Sequence, residues 1–344
     1  MKSQNSPVGT GAAALITITL MTGAAISAAA SPSCDRACLE GVAEKYLAAL
    51  QAHDPSKAPL ARNARFTENG AELPLPDGLW RTAGNIGPYR LFATDPNAGS
   101  IGFFVKVQEN GAPALAATRL KVVRNQITEI ESVVARLSAT LGGTPAGLIG
   151  PDRLGDSPRP QFVTALPPDR RHARHKLAEI VNGYFTGLEN NTGDKPPAFA
   201  DDCLRLENGT QTSGRPVAAD ATPGPLNFGC KEAFALGYYR EDTRLRNRRV
   251  LAVDEERGLV YAGVFFDHDA VLRSYQIKDG RTVNVRNTGP WTWMIHEIFQ
   301  INAEGRISQV EAVLLSVPYG MLPGWSTGEH MPSPQAIQDK FKEY

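Results

Sequence analysis

The chain repeats one order of segments twice, and this repeat constrains its fold more than any other feature. Each copy starts with an amphipathic helix, Ala43–Gln51 in the first copy and Leu177–Leu188 in the second. A Glu-Asn-Gly sequence follows at 68–70 and again at 207–209, and each copy ends with two strands joined by a turn. Because the same parts recur in the same order, we interpret the chain as a duplication of one structural unit.

Alternating apolar and polar residues predict the strands of each copy. The Asn-Gly pair at 110–111 is typical of a tight turn between two of them. Each copy is therefore expected to be an α+β unit, in which a helix precedes a curved antiparallel sheet. The predicted strands are Ser100–Gln108, Ala114–Val122 and Ile127–Val134 in the first copy, and Arg248–Val253, Leu259–Phe266, Ile298–Ile301 and Ile307–Leu314 in the second.

The repeat and the Gly- and Pro-rich stretch between its copies divide the chain into five parts. The N-terminal segment has one early charge, Lys2, an apolar run and three alanines before Ser31, which predicts a cleaved signal peptide. An uncleaved membrane anchor is the alternative. A short helix is expected from about Pro334. The parts are a signal peptide at 1–30, a first domain at 31–137, a linker at 138–171, a second domain at 172–317 and a C-terminal tail at 318–344.

The charges of the chain balance, with 36 Lys and Arg residues against 36 Asp and Glu residues. A neutral chain is a poor partner for nucleic acid or for an anionic membrane surface. We therefore expect neither nucleic acid nor, after removal of the signal, a membrane as a partner. The predicted location is secreted or periplasmic. A small-molecule ligand is the expected partner, and association into a homo-oligomer stays open.

Four cysteines follow the predicted signal peptide, and an oxidising compartment favours two disulfides. Cys34 and Cys38 are one helical turn apart, and Cys203 and Cys230 flank a Pro- and Gly-rich insertion at 212–229. Closing that loop would contribute about 3 kcal/mol in the chain-entropy model. The crossed pairings stay open. No cluster of Cys and His has the spacing of zinc ligands.

The stretch Trp291–Leu314 carries the main functional signal and is expected to form two strands joined by a turn at 302–305. On the first of these strands, apolar side chains share a face with Glu297. A carboxylate amid apolar surface is either paired or kept protonated by burial. Glu297 is therefore a candidate acid or base. A structural Glu bonded to an Arg is the alternative, and the sequence favours neither.

Further candidate residues gather in the second copy. Arg205 and Glu207 share a strand face, where the Arg could hold a substrate anion while a carboxyl moves a proton. In a regular strand His296 faces away from Glu297, so only one of the two can line a cavity unless a bulge intervenes. The apolar neighbours of Glu297 favour Glu297. The candidate catalytic residues are Glu297, Glu207, Arg205 and His296, and the candidate substrate-binding residues are Tyr184, Tyr239, Trp293, Phe266, Asp202, Glu68 and Trp80.

The first copy gives a weaker functional signal and could be a structural partner of the second. The same Glu occurs in both copies, as Glu68 and as Glu207. This favours a structural role shared by the two residues, such as binding backbone N–H groups. The triplet Asp267-His268-Asp269 does not suit a metal, because adjacent strand residues alternate between faces. No P-loop, dinucleotide signature or Ser-His-Asp pattern stands in an appropriate context. No metal and no cofactor is therefore expected.

Short motifs are spread along nearly all of the mature chain. They include Thr67-Glu68-Asn69-Gly70, Asp77-Gly78-Leu79-Trp80, Cys203-Leu204-Arg205-Leu206-Glu207-Asn208-Gly209 and Pro318-Tyr319-Gly320. Together they resemble the nuclear transport factor 2-like superfamily, and more closely a secreted family of unknown function with two such units in tandem. The resemblance implies two cone-shaped domains, each with helices on a curved sheet. It also implies a cavity that, in the superfamily's ketosteroid isomerase-like and SnoaL-like enzymes, holds an acid or base and no cofactor.

Two classes of function follow from this reading. The first is a cofactor-independent lyase or isomerase that acts on an aromatic or polycyclic compound by acid–base chemistry. The second is a non-catalytic ligand-binding or structural module. Fold by itself does not decide between them, and none of the superfamily's catalytic signatures can be placed residue by residue on this chain.

Overall fold

The computed structural model describes residues 34–136, 150–285 and 289–325, together with the backbone of 329–330. The predicted signal peptide, part of the predicted linker and the helix expected from Pro334 lie outside the described residues. Within the described part of the chain, every helix is too short or too polar to cross a membrane.

The first half consists of helix α1 and a seven-stranded sheet in the order β2-β1-β7-β6-β5-β3, with β4 also paired to β5. Strands β1 and β7 are parallel, and all other pairs in this sheet are antiparallel. The Asp35 side chain accepts a hydrogen bond from Cys38 N, which caps α1 and starts it earlier than predicted. The elements are α1 (Arg36–Gln51), β1 (Leu60–Glu68), β2 (Ala71–Glu72), α2 (Leu79–Thr82), β3 (Ala83–Ile86), β4 (Leu91–Asp95), β5 (Ser100–Glu109), β6 (Ala112–Val123) and β7 (Gln126–Arg136).

The second half has a sheet of its own, in the order β16-β10-β11-β14-β15-β8-β9, and a separate hairpin of β12 and β13. Here β8 and β15 are the parallel pair. The predicted turn at 302–305 joins β14 to β15, and both predicted disulfides, Cys34–Cys38 and Cys203–Cys230, are confirmed. The elements are α3 (Pro160–Val163), α4 (Arg174–Glu189), β8 (Phe199–Glu207), β9 (Thr210–Gln211), α5 (Cys230–Leu236), β10 (Arg244–Asp254), β11 (Leu259–His268), β12 (Ser274–Gln276), β13 (Thr282–Asn284), β14 (Trp291–Ile301), β15 (Ile307–Val317) and β16 (Glu329–His330).

The two Glu-Asn-Gly sequences form the same turn in the two sheets. Asn69 and Asn208 both have positive φ angles, 51° and 47°. The Asn69 side chain accepts from Val134 N at 2.7 Å and donates to its carbonyl at 3.3 Å. Asn208 makes the same two bonds to Leu314, both at 2.9 Å. The repeat in the sequence is thus a repeat of contacts, in which an Asn side chain fixes the first strand of each half to the last.

The two sheets pack against each other through the faces that α1 and α4 do not cover. An apolar cluster from both sheets fills this contact, including Phe104, Leu115, Tyr261, Ile298 and Val313. At one point the sheets approach so closely that a Cβ added to Gly102 would lie 1.8 Å from Cδ1 of Tyr261. A residue with any side chain at 102 would force the buried ring to move.

The start of each long helix is bound to the opposite half. Arg36 at the start of α1 donates to both carboxylate oxygens of Asp254 at the end of β10, at 2.8 and 2.6 Å. At the equivalent position of the second half, Arg174 at the start of α4 pairs with Asp95 at the end of β4. The two strand ends also exchange bonds, because Val253 N donates to Asp95 at 2.9 Å and Thr94 N donates to Asp254 at 3.4 Å. The halves are therefore related as two subunits of a two-fold dimer would be.

The segment after each half also crosses to the opposite half. Gly150 N donates to Asn208 O at 2.9 Å, and Leu154 and Phe162 are buried between the sheets. The described part of the predicted linker is therefore packed structure and not a free connection. Likewise, the predicted tail returns to the first half, where Trp325 Nε1 donates to Thr67 Oγ1 at 2.7 Å.

Trp325→Ala is expected to lower the free energy of unfolding by roughly 2–3 kcal/mol, the value of burying one large apolar side chain. The ring is 3% exposed and lies 4.2 Å from the guanidinium carbon of Arg65. Leu322→Ala is the matched control, since Leu322 belongs to the same segment but is 78% exposed. Urea unfolding followed by circular dichroism measures both variants. Equal effects of the two substitutions would contradict the docking of Trp325.

Candidate functional site

Glu297 lies on the face of the second sheet that packs against α4 and α5. It is 3% exposed, although it is an ionisable residue in the middle of an apolar strand. Its strand neighbours on this face are small, with Ala262 on β11 and Ala312 on β15 directly beside it. Glu207 on β8 continues the same row beyond Ala312. Each alanine presents only a methyl group to the carboxyl.

Burial raises the pKa of Glu297 to about 8, and Glu207 adds to the shift while Arg205 opposes it. One carboxylate oxygen, Oε2, is buried and has no hydrogen-bond partner among the described residues. A carboxyl in such surroundings holds its proton near neutral pH. Glu297 thus has the property required of a group that gives and takes protons in this pH range.

Arg205 supplies positive charge beside this carboxyl. It is buried, and its guanidinium donates to the hydroxyl of Tyr239 at 2.8 Å and to Thr212 Oγ1 at 3.1 Å. Glu207 lies 3.3 Å away as its ion-pair partner. Burial raises the pKa of Glu207, and Arg205 opposes that rise. Burial, and then the charge of Glu297, raises the pKa of Tyr184 well above its usual value.

Aromatic rings surround these polar groups. The ring of Tyr184 lies 4.9 Å from Phe299 on β14 and 5.5 Å from Phe234 on α5. Phe266, a predicted binding residue, is buried and packs on Phe185 at 6.2 Å. The site is therefore an apolar enclosure with two carboxyls, one guanidinium and two phenols at its polar end.

Two predicted site residues lie elsewhere. Asp202 is exposed on β8, on the solvent side of the strand. His296 points into the contact between the sheets, as the alternation along β14 predicts. There its Nδ1 lies 2.6 Å from the hydroxyl of Tyr261, and its Nε2 lies 3.4 Å from Glu131. Asp202 is therefore exposed, and His296 lies on the opposite face of the sheet from Glu297.

The corresponding row of the first sheet has different residues and holds no comparable site. In this row Phe103, Thr118 and Ser132 take the places of Ala262, Glu297 and Ala312. The fourth member, Glu68, is a predicted binding residue. It accepts from Leu79 N at 2.7 Å and from Arg136 at 2.6 Å. Glu68 thus binds a backbone N–H group, whereas its counterpart Glu207 pairs with Arg205.

Trp80, the other predicted binding residue of the first half, is part of the core. It is fully buried, with its ring edge-on to Tyr46 at 5.2 Å. The first half is therefore filled by large side chains at the level where the second half has alanines and a carboxyl. Comparing the two copies row by row, from the shared Asn-Gly turns, is the signal that could have distinguished them in the sequence.

Sequence reasoning missed Asp242 and the role of His268. Asp242 is buried and lies 2.9 Å from His268 Nε2. Its negative charge contributes to the raised pKa of both Glu207 and Glu297. The ring of His268 in turn stacks on Trp291 at 3.7 Å. In the described part of the chain, no group of three or more potential ligands could hold a metal ion.

The fold and the site define an α+β protein of two related halves, with a buried carboxyl site in the second half. Family comparison matches two segments, residues 33–134 and 170–314, to the family described as "Domain of unknown function (DUF8021)". These segments make up more than half of the chain, and the chain belongs to this family. A comparison with curated proteins finds no match.

Solved structures that resemble parts of the chain include nuclear transport factor 2-like and ketosteroid isomerase-like proteins. A putative ketosteroid isomerase from Kribbella flavida is 14% identical, with 33% of this chain and 88% of that chain covered and a TM-score of 0.26. A steroid delta-isomerase from Pseudomonas aeruginosa is 13% identical, with 30% and 82% covered and a TM-score of 0.24. A nuclear transport factor 2-like protein of unknown function from Cytophaga hutchinsonii is 11% identical, with 28% and 88% covered and a TM-score of 0.22.

Proposed function

We propose that the second half binds an aromatic or polycyclic carbonyl compound and that Glu297 moves a proton on it without a cofactor. The observation that carries this proposal is the row Ala262, Glu297, Ala312 and Glu207, which surrounds a buried, unpartnered carboxyl oxygen with small side chains. The reaction class is isomerisation or elimination beside a carbonyl group.

The chemistry assigns one step to each polar group. Glu297 in its ionised form takes a proton from the carbon next to the carbonyl and returns it at another position. The negative charge that develops on the carbonyl oxygen is stabilised by Arg205 and by the hydroxyl groups of Tyr184 and Tyr239. The surrounding rings exclude water, which strengthens these interactions.

Hydrogen exchange in deuterated water tests this proposal with 2-tetralone, a bicyclic aromatic ketone with acidic hydrogens beside its carbonyl. The protein is expected to accelerate deuterium uptake. Glu297→Gln should reduce this acceleration by about 10²- to 10⁴-fold, the usual contribution of a general base. Mass spectrometry follows the uptake over time. Glu311→Gln is the matched control and should keep the activity, because Glu311 is equally buried but bonds Tyr89 between the sheets.

A second candidate function is binding without turnover. The predicted result in that case is binding of 2-tetralone, seen by saturation-transfer NMR, without accelerated exchange. Absence of both binding and exchange would overturn the proposal for the site itself.

We also propose that the protein acts outside the cytoplasm. The two disulfides are compatible with an extracellular or periplasmic protein. Mass spectrometry of the protein recovered from its native culture medium or periplasm should find the mature chain starting at about Ser31. A chain that retains residues 1–30 would contradict export by signal cleavage.

A further inference from the structure

A cleft of about 1050 Å³ opens in the second half, separate from the buried row of Glu297. Four parts of the chain line it: the insertion at 212–229, Tyr238 and Glu241 after α5, the hairpin of β12 and β13, and the start of β14. The repeat assigns no role to this cleft, because the first half has no insertion at the corresponding place. Of the residues that the sequence predicts to bind substrate, Trp293 lines this cleft and the others do not.

The insertion forms one wall of this cleft and is held in place by a disulfide and by hydrogen bonds. The disulfide between Cys203 and Cys230 closes its base. Backbone bonds hold it together, since Gly214 N donates to Phe228 O at 2.8 Å and Arg215 N donates to Leu226 O at 2.9 Å. The side chain of Asn227 donates to Arg215 O at 3.0 Å. A wall fixed in this way loses little conformational entropy when a ligand binds.

Two indole rings line the cleft. Of the four tryptophans, Trp80 and Trp325 are buried, and only Trp291 and Trp293 are partly exposed. His268 stacks flat on Trp291, and the two indoles meet edge to face at 4.7 Å. The rings are therefore held in place by their neighbours and offer a rigid aromatic surface to a ring compound.

The charged groups of the cleft favour an anion. The guanidinium group of Arg215 has no hydrogen-bond partner among the described residues, whereas Arg281 is held by Asp279 at 2.8 Å. Glu241 is the acidic residue that lines the cleft. Burial, and then the charge of Asp242, raises the pKa of Glu241, which weakens its repulsion of an anion. Arg215 is thus the cation that is free to bind a ligand.

From these contacts we infer that the cleft binds an aromatic compound with a negatively charged group, with its ring against Trp291 and Trp293 and its charge at Arg215. This inference does not depend on proton transfer by Glu297. It assigns to the insertion a role in selecting the ligand.

Naphthalene-2-sulfonate and its uncharged analogue naphthalene-2-sulfonamide form a matched pair of probes. The sulfonate is expected to bind at one site and to change the tryptophan fluorescence, and isothermal titration calorimetry gives the stoichiometry. The sulfonamide should bind about tenfold more weakly, a difference of about 1.4 kcal/mol. Equal affinity of the two probes, or no binding of the sulfonate, would overturn the inference.

Three substitutions locate the bound probe. Arg215→Gln should weaken binding of the sulfonate by about fivefold to tenfold and leave the sulfonamide unchanged. Trp293→Ala should weaken both probes, and Trp291→Leu is the second variant in case Trp293→Ala does not fold. Arg306→Gln, an exposed residue at the other end of the β14–β15 hairpin, is the control and should change neither. Unaltered sulfonate binding by Arg215→Gln would contradict the assignment of the charged group of the probe to Arg215.

Glu297→Gln separates this inference from the proposed function. The variant should bind the sulfonate as tightly as the parent protein. If it does so while the parent protein exchanges no hydrogen on 2-tetralone, the acid–base proposal fails and the cleft assignment stands. If Glu297→Gln abolishes sulfonate binding in a folded protein, the cleft is not the binding site of the probe and the inference is wrong.

Discussion

Raising the pH from about 5 to about 9 is expected to lower the free energy of unfolding, and Glu297→Gln should remove most of this loss. The pKa of Glu297 is raised from 4.5 to about 8 in the folded protein, so the folded state holds a proton that the unfolded state has released. The stabilisation is complete below the unfolded pKa and is lost as the pH rises through the folded pKa. One pKa unit corresponds to about 1.4 kcal/mol, so the expected loss is roughly 4–5 kcal/mol.

Urea unfolding at several pH values measures this effect. Glu304→Gln is the control, because Glu304 is exposed in the turn that joins β14 to β15. Its stability should follow the same curve as that of the parent protein. Glu311, whose pKa burial raises to about 7, should contribute a smaller loss that is complete at lower pH. If the free energy of unfolding changes with pH in the same way in the parent protein and in Glu297→Gln, Glu297 is not protonated in the folded protein.

Arg249→Met is expected to cost about 3–5 kcal/mol of folding free energy at pH 7, because it leaves the charge of Glu131 buried without its main partner. Both residues are almost completely buried where the two sheets meet, and Arg249 binds both oxygens of Glu131. Burial alone would raise the pKa of Glu131, but Arg249 and His296 lower it well below the usual range. The Met side chain retains the apolar contacts of the Arg stem but carries no charge.

A second substitution and a change of pH test the cause of this loss. Adding Glu131→Gln to Arg249→Met removes the unpaired charge and should restore most of the stability. The deficit of the single variant should also shrink as the pH falls, because burial without Arg249 raises the pKa of Glu131 and the carboxyl then takes up a proton. Denaturant unfolding measures all three proteins. A single variant as stable as the parent would show that this pair does not hold the halves together.

Most of the strand and turn assignments could be predicted because they depend on local chemistry. Alternation along β14 places Glu297 and His296 on opposite faces, and the Asn-Gly pairs specify turns with positive φ angles at Asn69 and Asn208. The spacing of Cys34 and Cys38 within one helical turn is equally local. None of these features requires knowledge of what packs on the chain.

The candidate site could be predicted only in part. The apolar neighbours of Glu297 along its own strand marked it as a candidate, but its neighbours across the sheet are Ala262 and Ala312, which lie far away in the sequence. Asp202 is close to Arg205 in the chain, yet its side chain is exposed whereas that of Arg205 is buried. Its exposure is decided by which elements cover that end of β8.

The sequence by itself determined that the chain is a duplicated α+β protein with two disulfides and a carboxyl on an apolar strand face. Only the tertiary structure decided that Glu68, the counterpart of Glu207, is bonded by Leu79 N and Arg136 in the first half. It alone decided that the segment after each half crosses to the opposite half, where Leu154 and Trp325 are buried. The physical reason is that periodicity and turn chemistry act between near neighbours, whereas burial and pairing depend on which distant side chains meet in the packed protein.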